Sequence, residues 1–110
     1  MNDLNKFCKD YGWCFLSADH YPSISDNKSL VVFLLPKWSQ SDLQIVASIA
    51  QKIIEKRIRV EVFDIDEIKT QDKLKEMFPG LLNVTQTPVL IEYSQGEICF
   101  SAQGKSVSDY

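Results

Sequence analysis

No apolar run in this 110-residue chain approaches the ~18–20 residues that a helix needs to cross a bilayer. The run Leu30 to Leu35 is stopped after six residues by Pro36. The opening residues, Met1-Asn2-Asp3-Leu4-Asn5-Lys6, lack the apolar stretch of a secretory signal, so a cytoplasmic chain is expected. Basic charge is also in short supply. Twelve Lys and Arg against fifteen Asp and Glu leave a net charge of -3. That balance gives no electrostatic reason to expect nucleic acid or an anionic membrane as a partner. The basic cluster Lys52, Lys56, Arg57 and Arg59 falls near a predicted helix end, where cations complement the helix dipole.

Cysteine is too scarce for a disulfide framework or a zinc site, with Cys8, Cys14 and Cys99 alone. An odd count reads as free thiols in a reducing compartment. Cys8 and Cys14 bracket a predicted helix end, a spacing compatible with a regulatory disulfide. Cys99 alternates with Ile98 and Phe100 in the last predicted strand, where packing is its expected role. The single histidine, His20, has no partner at metal spacing. Neither metal nor cofactor is therefore expected. The string Gln103-Gly104-Lys105-Ser106 ends like a phosphate-binding loop, but Cys99 stands where its first glycine should be.

What is present is an ordinary globular composition, 45% hydrophobic and 25% charged, of a length that suits one domain spanning 1–110. Leu4, Phe7 and Cys8 share one side of a predicted helix over Asn2–Asp10, ended by Tyr11-Gly12, and Trp13–Leu16 reads as a short strand. Ser17–Lys28 is polar loop. Leu30–Leu35 is apolar without alternation, the pattern of a strand covered on both faces. A long helix opens at Ser39 or Ser41 and runs to about Lys56 with Leu43, Val46, Ala50 and Ile53 at helical spacing. Ile45 and Ile49 widen that stripe enough to meet a second element or a partner. Ile58–Ile65 is a strand and Asp66–Phe78 a helix, with Asp66 as its expected N-cap. Val89–Tyr93 and Glu97–Ala102 form a hairpin about Ser94-Gln95-Gly96. The order β-α-β-α-β-β from Leu30 onward implies one parallel pair plus antiparallel strands.

Two local features give this order a family likeness. Leu30-Val31-Val32-Phe33-Leu34-Leu35-Pro36-Lys37-Trp38 is a buried strand running into a tryptophan before a helix. Val84-Thr85-Gln86-Thr87-Pro88-Val89 places a proline just ahead of a later strand. In that order and separation they resemble the thioredoxin family over about residues 28–104, with the helix and strand of residues 2–17 added in front. The resemblance implies an α/β, thioredoxin-like fold, a central mixed sheet of four to five strands with helices on both faces, and a cis peptide before Pro88. It also places Ser39 and Asp42 where the family's Cys-x-x-Cys motif stands, and Phe33 where the family keeps a buried acid. Disulfide exchange needs a thiolate attacking a sulfur, which neither an alcohol nor a carboxylate can replace. The chain ends at Ser106–Tyr110, where thioredoxins carry a final helix, so that helix is expected to be missing. The Leu4/Phe7/Cys8 helix or another chain would then have to cover the sheet face.

The function expected on this resemblance is that of a redox-inactive binding module, an adaptor, assembly factor or subunit rather than an enzyme. Its groove would be built from Trp38, Ser39, Gln40, Asp42, Gln86, Thr87 and Pro88, and would take a protein or extended peptide. Ser39-x-x-Asp42 also reads as a helix capping box, and Trp38 as either a buried anchor or an exposed contact. A single-thiol or glutathione-linked enzyme using Cys8, Cys14 or Cys99 is the alternative, and a structural homo-oligomer or homodimer a third reading.

Overall fold

The computed structural model describes residues 3–110, so the predicted first helical residue, Asn2, lies outside the described residues. Eight regular elements follow one another: α1 (Asp3–Tyr11), β1 (Cys14–Leu16), β2 (Ser29–Leu35), α2 (Gln40–Glu55), β3 (Arg59–Asp64), α3 (Gln71–Met77), β4 (Val89–Ser94) and β5 (Glu97–Gln103). Two 3-10 helices, Ile65–Glu67 and Gly104–Asp109, complete the path. The strands form one sheet in the order β1-β3-β2-β4-β5. β1 and β2 run parallel to β3, whereas β4 is antiparallel to β2 and β5 antiparallel to β4.

β2 lies at the centre because it has no polar face to offer water. Leu30 to Leu35 are all buried, and alternation sends them to opposite sides. Val31, Phe33 and Leu35 pack with Leu43, Val46, Ile49 and Ile53 of α2, with Leu4 and Cys8 of α1, and with Val107 of the C-terminal 3-10 helix. Leu30, Val32 and Leu34 pack with Leu74, Met77 and Phe78, and with Ile68 and Leu81. The mixed sheet with helices on both faces is thus present as expected.

Three expectations need correction. The helix predicted over Asp66–Phe78 is split. The Asp64 carboxylate accepts from the Asp66 N–H (3.0 Å) and caps a single 3-10 turn. The chain then extends through Ile68, which is buried, and restarts at Thr70, whose hydroxyl accepts from the Lys73 N–H (3.0 Å). Two caps within seven residues compete with one continuous helix, and burial of Ile68 favours the break.

The C-terminal segment is also not bare. The 3-10 helix Gly104–Asp109 buries Val107 fully against α2, and Tyr110 packs on Phe100 at 5.2 Å. Lys56 donates to the Tyr110 hydroxyl (2.6 Å) and pairs with Glu92 (3.4 Å); Tyr110 in turn donates to Glu92, and Lys52 to the Tyr110 carbonyl. The wide stripe of α2 is accounted for here, since Ile45 and Ile49 join the cluster that α1 and this segment cover. Lys52, Lys56 and Arg59 of the basic cluster likewise have specific partners rather than the helix dipole alone.

The third correction concerns Cys99, which is exposed. The ladder pairs Glu92 with Phe100 but Tyr93 with Ile98, leaving Cys99 as the extra residue of a β-bulge. A bulge shifts the alternation by one. Ile98 therefore joins one core cluster while Phe100, two residues on, joins the other. The hairpin turn is tight, with Gln95 and Gly96 both at positive φ (56° and 82°), the geometry that suits the twist of paired strands.

Phe33 is fully buried beneath α2 and stacks on Trp13 at 5.3 Å, 21° from parallel. Phe33→Ala is expected to lower unfolding free energy by about 3–5 kcal/mol, read as a shift in urea midpoint with unchanged m-value.

Candidate functional site

β2 and β3 end side by side, with Leu35 opposite Asp64. The loops that follow them are therefore neighbours, although 28 residues separate Trp38 from Asp66. The Trp38 indole N–H donates to Asp66 Oδ2 at 2.9 Å. Trp38 is 69% exposed, so it is not a buried anchor of the loop. Asp66 is thus not the N-cap that the sequence suggested. It orients an aromatic face that remains open to solvent.

β4 enters the same end of the sheet from the other side, since Leu34 lies opposite Val89. Continuing that register sets Pro88 beside Leu35, one residue before the Pro36–Ser39 corner. The Thr87–Pro88 peptide is cis and Pro88 is buried. Trp38, Ser39, Thr87 and Pro88 therefore share one edge of the fold. Gln86 departs from it. Its backbone N–H donates to Gln103 Oε1 (3.3 Å), as does that of Thr85 (2.9 Å), while Gln103 Nε2 donates to the Asn83 carbonyl (3.1 Å). One glutamine side chain thus ties down residues 83–86. No hydrogen bond among the described residues engages the Thr87 N–H or carbonyl, and Thr87 is half-buried. Gly104 permits this approach, because a Cβ there would lie 2.1 Å from Gln86 Oε1.

Ser39 is the N-cap of α2, its hydroxyl accepting from the Asp42 N–H at 3.3 Å. The reciprocal half of a capping box is not made, because the Ser39 N–H donates to the Pro36 carbonyl (3.2 Å). Asp42 is 6% exposed and its Oδ2 has no partner among the described residues. An orphaned buried acceptor is unfavourable, but a carboxylate in the first helical turn is favoured by the dipole. Gln40 is exposed on the same turn. Nothing in the pair Ser39 and Asp42 can form or break a disulfide.

The thiols lie elsewhere, and all three are free, so the Cys8–Cys14 disulfide considered from spacing is not formed. Burial in the α1–α2 interface, reinforced by Cys14, pushes the Cys8 thiol from 9.0 up to about 12. Cys99 donates to the Glu92 carbonyl (3.4 Å), and partial burial with the nearby Glu92 carboxylate raises its pKa as well. A reactive thiolate needs the opposite surroundings. Among the described residues no group of three or more His, Cys, Asp or Glu is placed to hold a metal ion, and no helix is long and apolar enough to cross a membrane. The His20 ring meets the nearby Ser17 hydroxyl (3.1 Å), and its backbone N–H donates to the Ser17 carbonyl (3.0 Å).

The sequence offered no direct sign of Asp66 or Gln103. Asp66 follows from the parallel β2–β3 pairing once Trp38 is placed. Gln103 requires the β4–β5 register, which the bulge at Cys99 shifts.

No protein-family model matches the chain, and no curated protein matches it by sequence. Solved structures do. Mitochondrial thioredoxin 3 from Saccharomyces cerevisiae, in its oxidized form, superposes with a TM-score of 0.63 at 19% identity, over 90% of this chain and 91% of that one. Thioredoxin f2 from Chlamydomonas reinhardtii gives 0.62 at 15% identity over 89% of each chain. Reduced thioredoxin pre-protein from Schistosoma mansoni gives 0.53 at 20%, over 76% of this chain and 73% of that one. At these identities the likeness establishes the fold, which is thioredoxin-like.

Replacing Ser39 with Ala removes the cap of α2 and is expected to cost about 1 kcal/mol in denaturant unfolding. Cys8 should resist alkylation at pH 7.5 until the chain is unfolded. Because folding raises its pKa, its contribution to stability is complete below pH 9 and is lost as pH rises from 9 towards 12, where the unfolded thiol ionises first. Unfolding measured over that range should show the loss in wild type and less of it in Cys8→Ala.

Proposed function

We propose that the protein is a redox-inactive thioredoxin-like module that binds an extended segment of a protein partner along the edge formed by Trp38, Ser39, Thr87 and Pro88. The observation that carries this reading is the state of Trp38: a large aromatic face open to solvent, held in one orientation by Asp66. Exposed, pre-oriented tryptophans are typical interface anchors, because little side-chain freedom remains to be lost on binding. Thr87 adds a free backbone donor and acceptor on the facing segment, the groups that an extended peptide pairs with when it joins a strand edge. Ser39 and Gln40 line the adjoining helix start with polar side chains, and Asp42 is buried in its first turn.

The non-thiol residues at Ser39 and Asp42 and the raised Cys8 and Cys99 thiols support the absence of a covalent step. They weigh against the single-thiol or glutathione-linked enzyme. Assembly with a partner as adaptor, assembly factor or subunit fits a binding edge without chemistry of its own. A homodimer remains the competing partner for that edge. Three unpaired thiols suit a reducing compartment such as the cytoplasm.

The test is selection from a displayed library of extended peptides, mapped by amide NMR. Bound peptides should shift the Trp38 indole and the Thr87 amide, and Trp38→Ala should weaken them by about tenfold or more. Insulin reduction by dithiothreitol should run no faster with the protein than without it. Peptides that bind but leave both signals unmoved, or catalysed insulin reduction, would sink the reading. Concentration-dependent mass in solution with the same two signals shifting would assign the edge to a second copy of the chain.

A further inference from the structure

Another hollow, of ≈ 530 Å³, opens where β2 and β3 begin, lined by Ser23, Ser25, Asn27, Lys28, Ser29 and Arg59. The length of β2 puts it on the order of 20 Å from Trp38. Two of its lining residues, Ser23 and Arg59, are tied to Glu61, which is 0% exposed. A carboxylate so deeply buried needs close donors. It has two, the Arg59 Nε at 2.6 Å and the Ser23 N–H at 2.9 Å, one from each wall of the hollow.

The consequence lies in what this leaves free. Arg59 is held through Nε alone, with its side chain 53% exposed and its two terminal nitrogens without a hydrogen bond among the described residues. Lys28 is exposed and makes no ion pair among the described residues. The Ser23 and Ser29 hydroxyls make no hydrogen bond among the described residues, whereas Ser25 donates to Asn27 Oδ1 (2.6 Å) and accepts from the Asn27 N–H (3.4 Å), which shapes the rim. The neighbouring Asp26 carboxylate is turned to Gly96, with Oδ1 2.8 Å from where a Cβ would stand. Lys28 and Arg59 together outweigh Glu61, on a chain whose net charge is -3.

We propose that this hollow binds a phosphate group, free or as a monoester. Arg59 presents its terminal fork to two phosphate oxygens, the geometry in which guanidinium–phosphate pairs are strongest. Lys28 supplies a second cation, Ser23 and Ser29 supply neutral donors, and Glu61 is a positioning residue that fixes the fork. The volume leaves room beyond the phosphate for the group that carries it.

The test is an amide NMR titration with sodium phosphate at pH 7.5 against sodium chloride at matched ionic strength, repeated with glycerol phosphate. Saturable shifts are expected over residues 23–29 and at Arg59, with the Trp38 indole unmoved. Arg59→Gln should weaken binding by about tenfold or more, and Lys28→Gln by several-fold. Lys28 is exposed and without an ion pair among the described residues, so that variant carries the test should Arg59→Gln fail to fold. Tighter binding of glycerol phosphate assigns the site to a monoester, and equal binding to free phosphate. Shifts reproduced by chloride, shifts centred on Trp38, or both variants binding as the wild type does overturn the proposal.

Discussion

Six consecutive apolar residues, Leu30 to Leu35, leave β2 no side that can face water, and the rest of the structure is arranged around that demand. A strand buried on both faces must be flanked by strands and covered twice. β3 and β4 supply the flanks, α2 the larger cover on one face, and α3 with Ile68 and Leu81 the cover on the other. Neither cover is complete. On the α2 side, α1 contributes Leu4 and Cys8 from one flank, and the C-terminal 3-10 helix contributes Val107 from the other. On the α3 side the polar loop contributes Ile24, and Tyr21 reaches across to donate to Glu76 at 2.5 Å. Pieces that look peripheral in the chain are thus fixed by the same requirement.

The central strand also decides which loops meet at each end of the sheet. Strand ends gather loops, and parallel neighbours gather the loops of distant segments at one edge. At the C-terminal end of β2 this brings the Trp38 corner against Asp66, and the antiparallel β4 brings Pro88 to the same place. At the opposite end it brings Lys28 and Arg59 together over a buried carboxylate. The two clusters are consequences of one strand's length and of the residues that flank it. The scaffold matches that of solved thioredoxins, while the positions resembling their cysteines hold a helix cap and a buried carboxylate.

Two small deviations from regularity do much of the positioning. The bulge at Cys99 turns Ile98 and Phe100 to opposite faces and sets the register that delivers Gln103 to residues 83–86. The break between the Ile65–Glu67 turn and α3 lets Ile68 enter the core, and leaves Asp66 on the surface within reach of Trp38. A continuous helix from Asp66 would have committed that carboxylate to capping. Both deviations are held by the packing they permit, Ile98 and Phe100 reaching different core clusters and Ile68 becoming buried.

The sequence alone determined the elements whose signals are local. The unalternating run of β2, the helical spacing of α2 from its Ser39 cap, the Gln95-Gly96 turn and the non-thiol residues at 39 and 42 could all be read without a structure, because each depends on neighbours within a turn or a strand. Tertiary structure decided everything that depends on register and on loop adjacency. It chose the exposed state of Trp38, the Asp66 bond, the occupation of Gln86 by Gln103, the exposure of Cys99 and the pairing of Arg59 with Glu61 beneath the Ser23 loop. These contacts, except the last pair, join residues far apart in the chain or hinge on a one-residue shift. Such shifts carry no periodic signature, since a bulge or a broken helix is selected by the packing it permits rather than by the residues that form it.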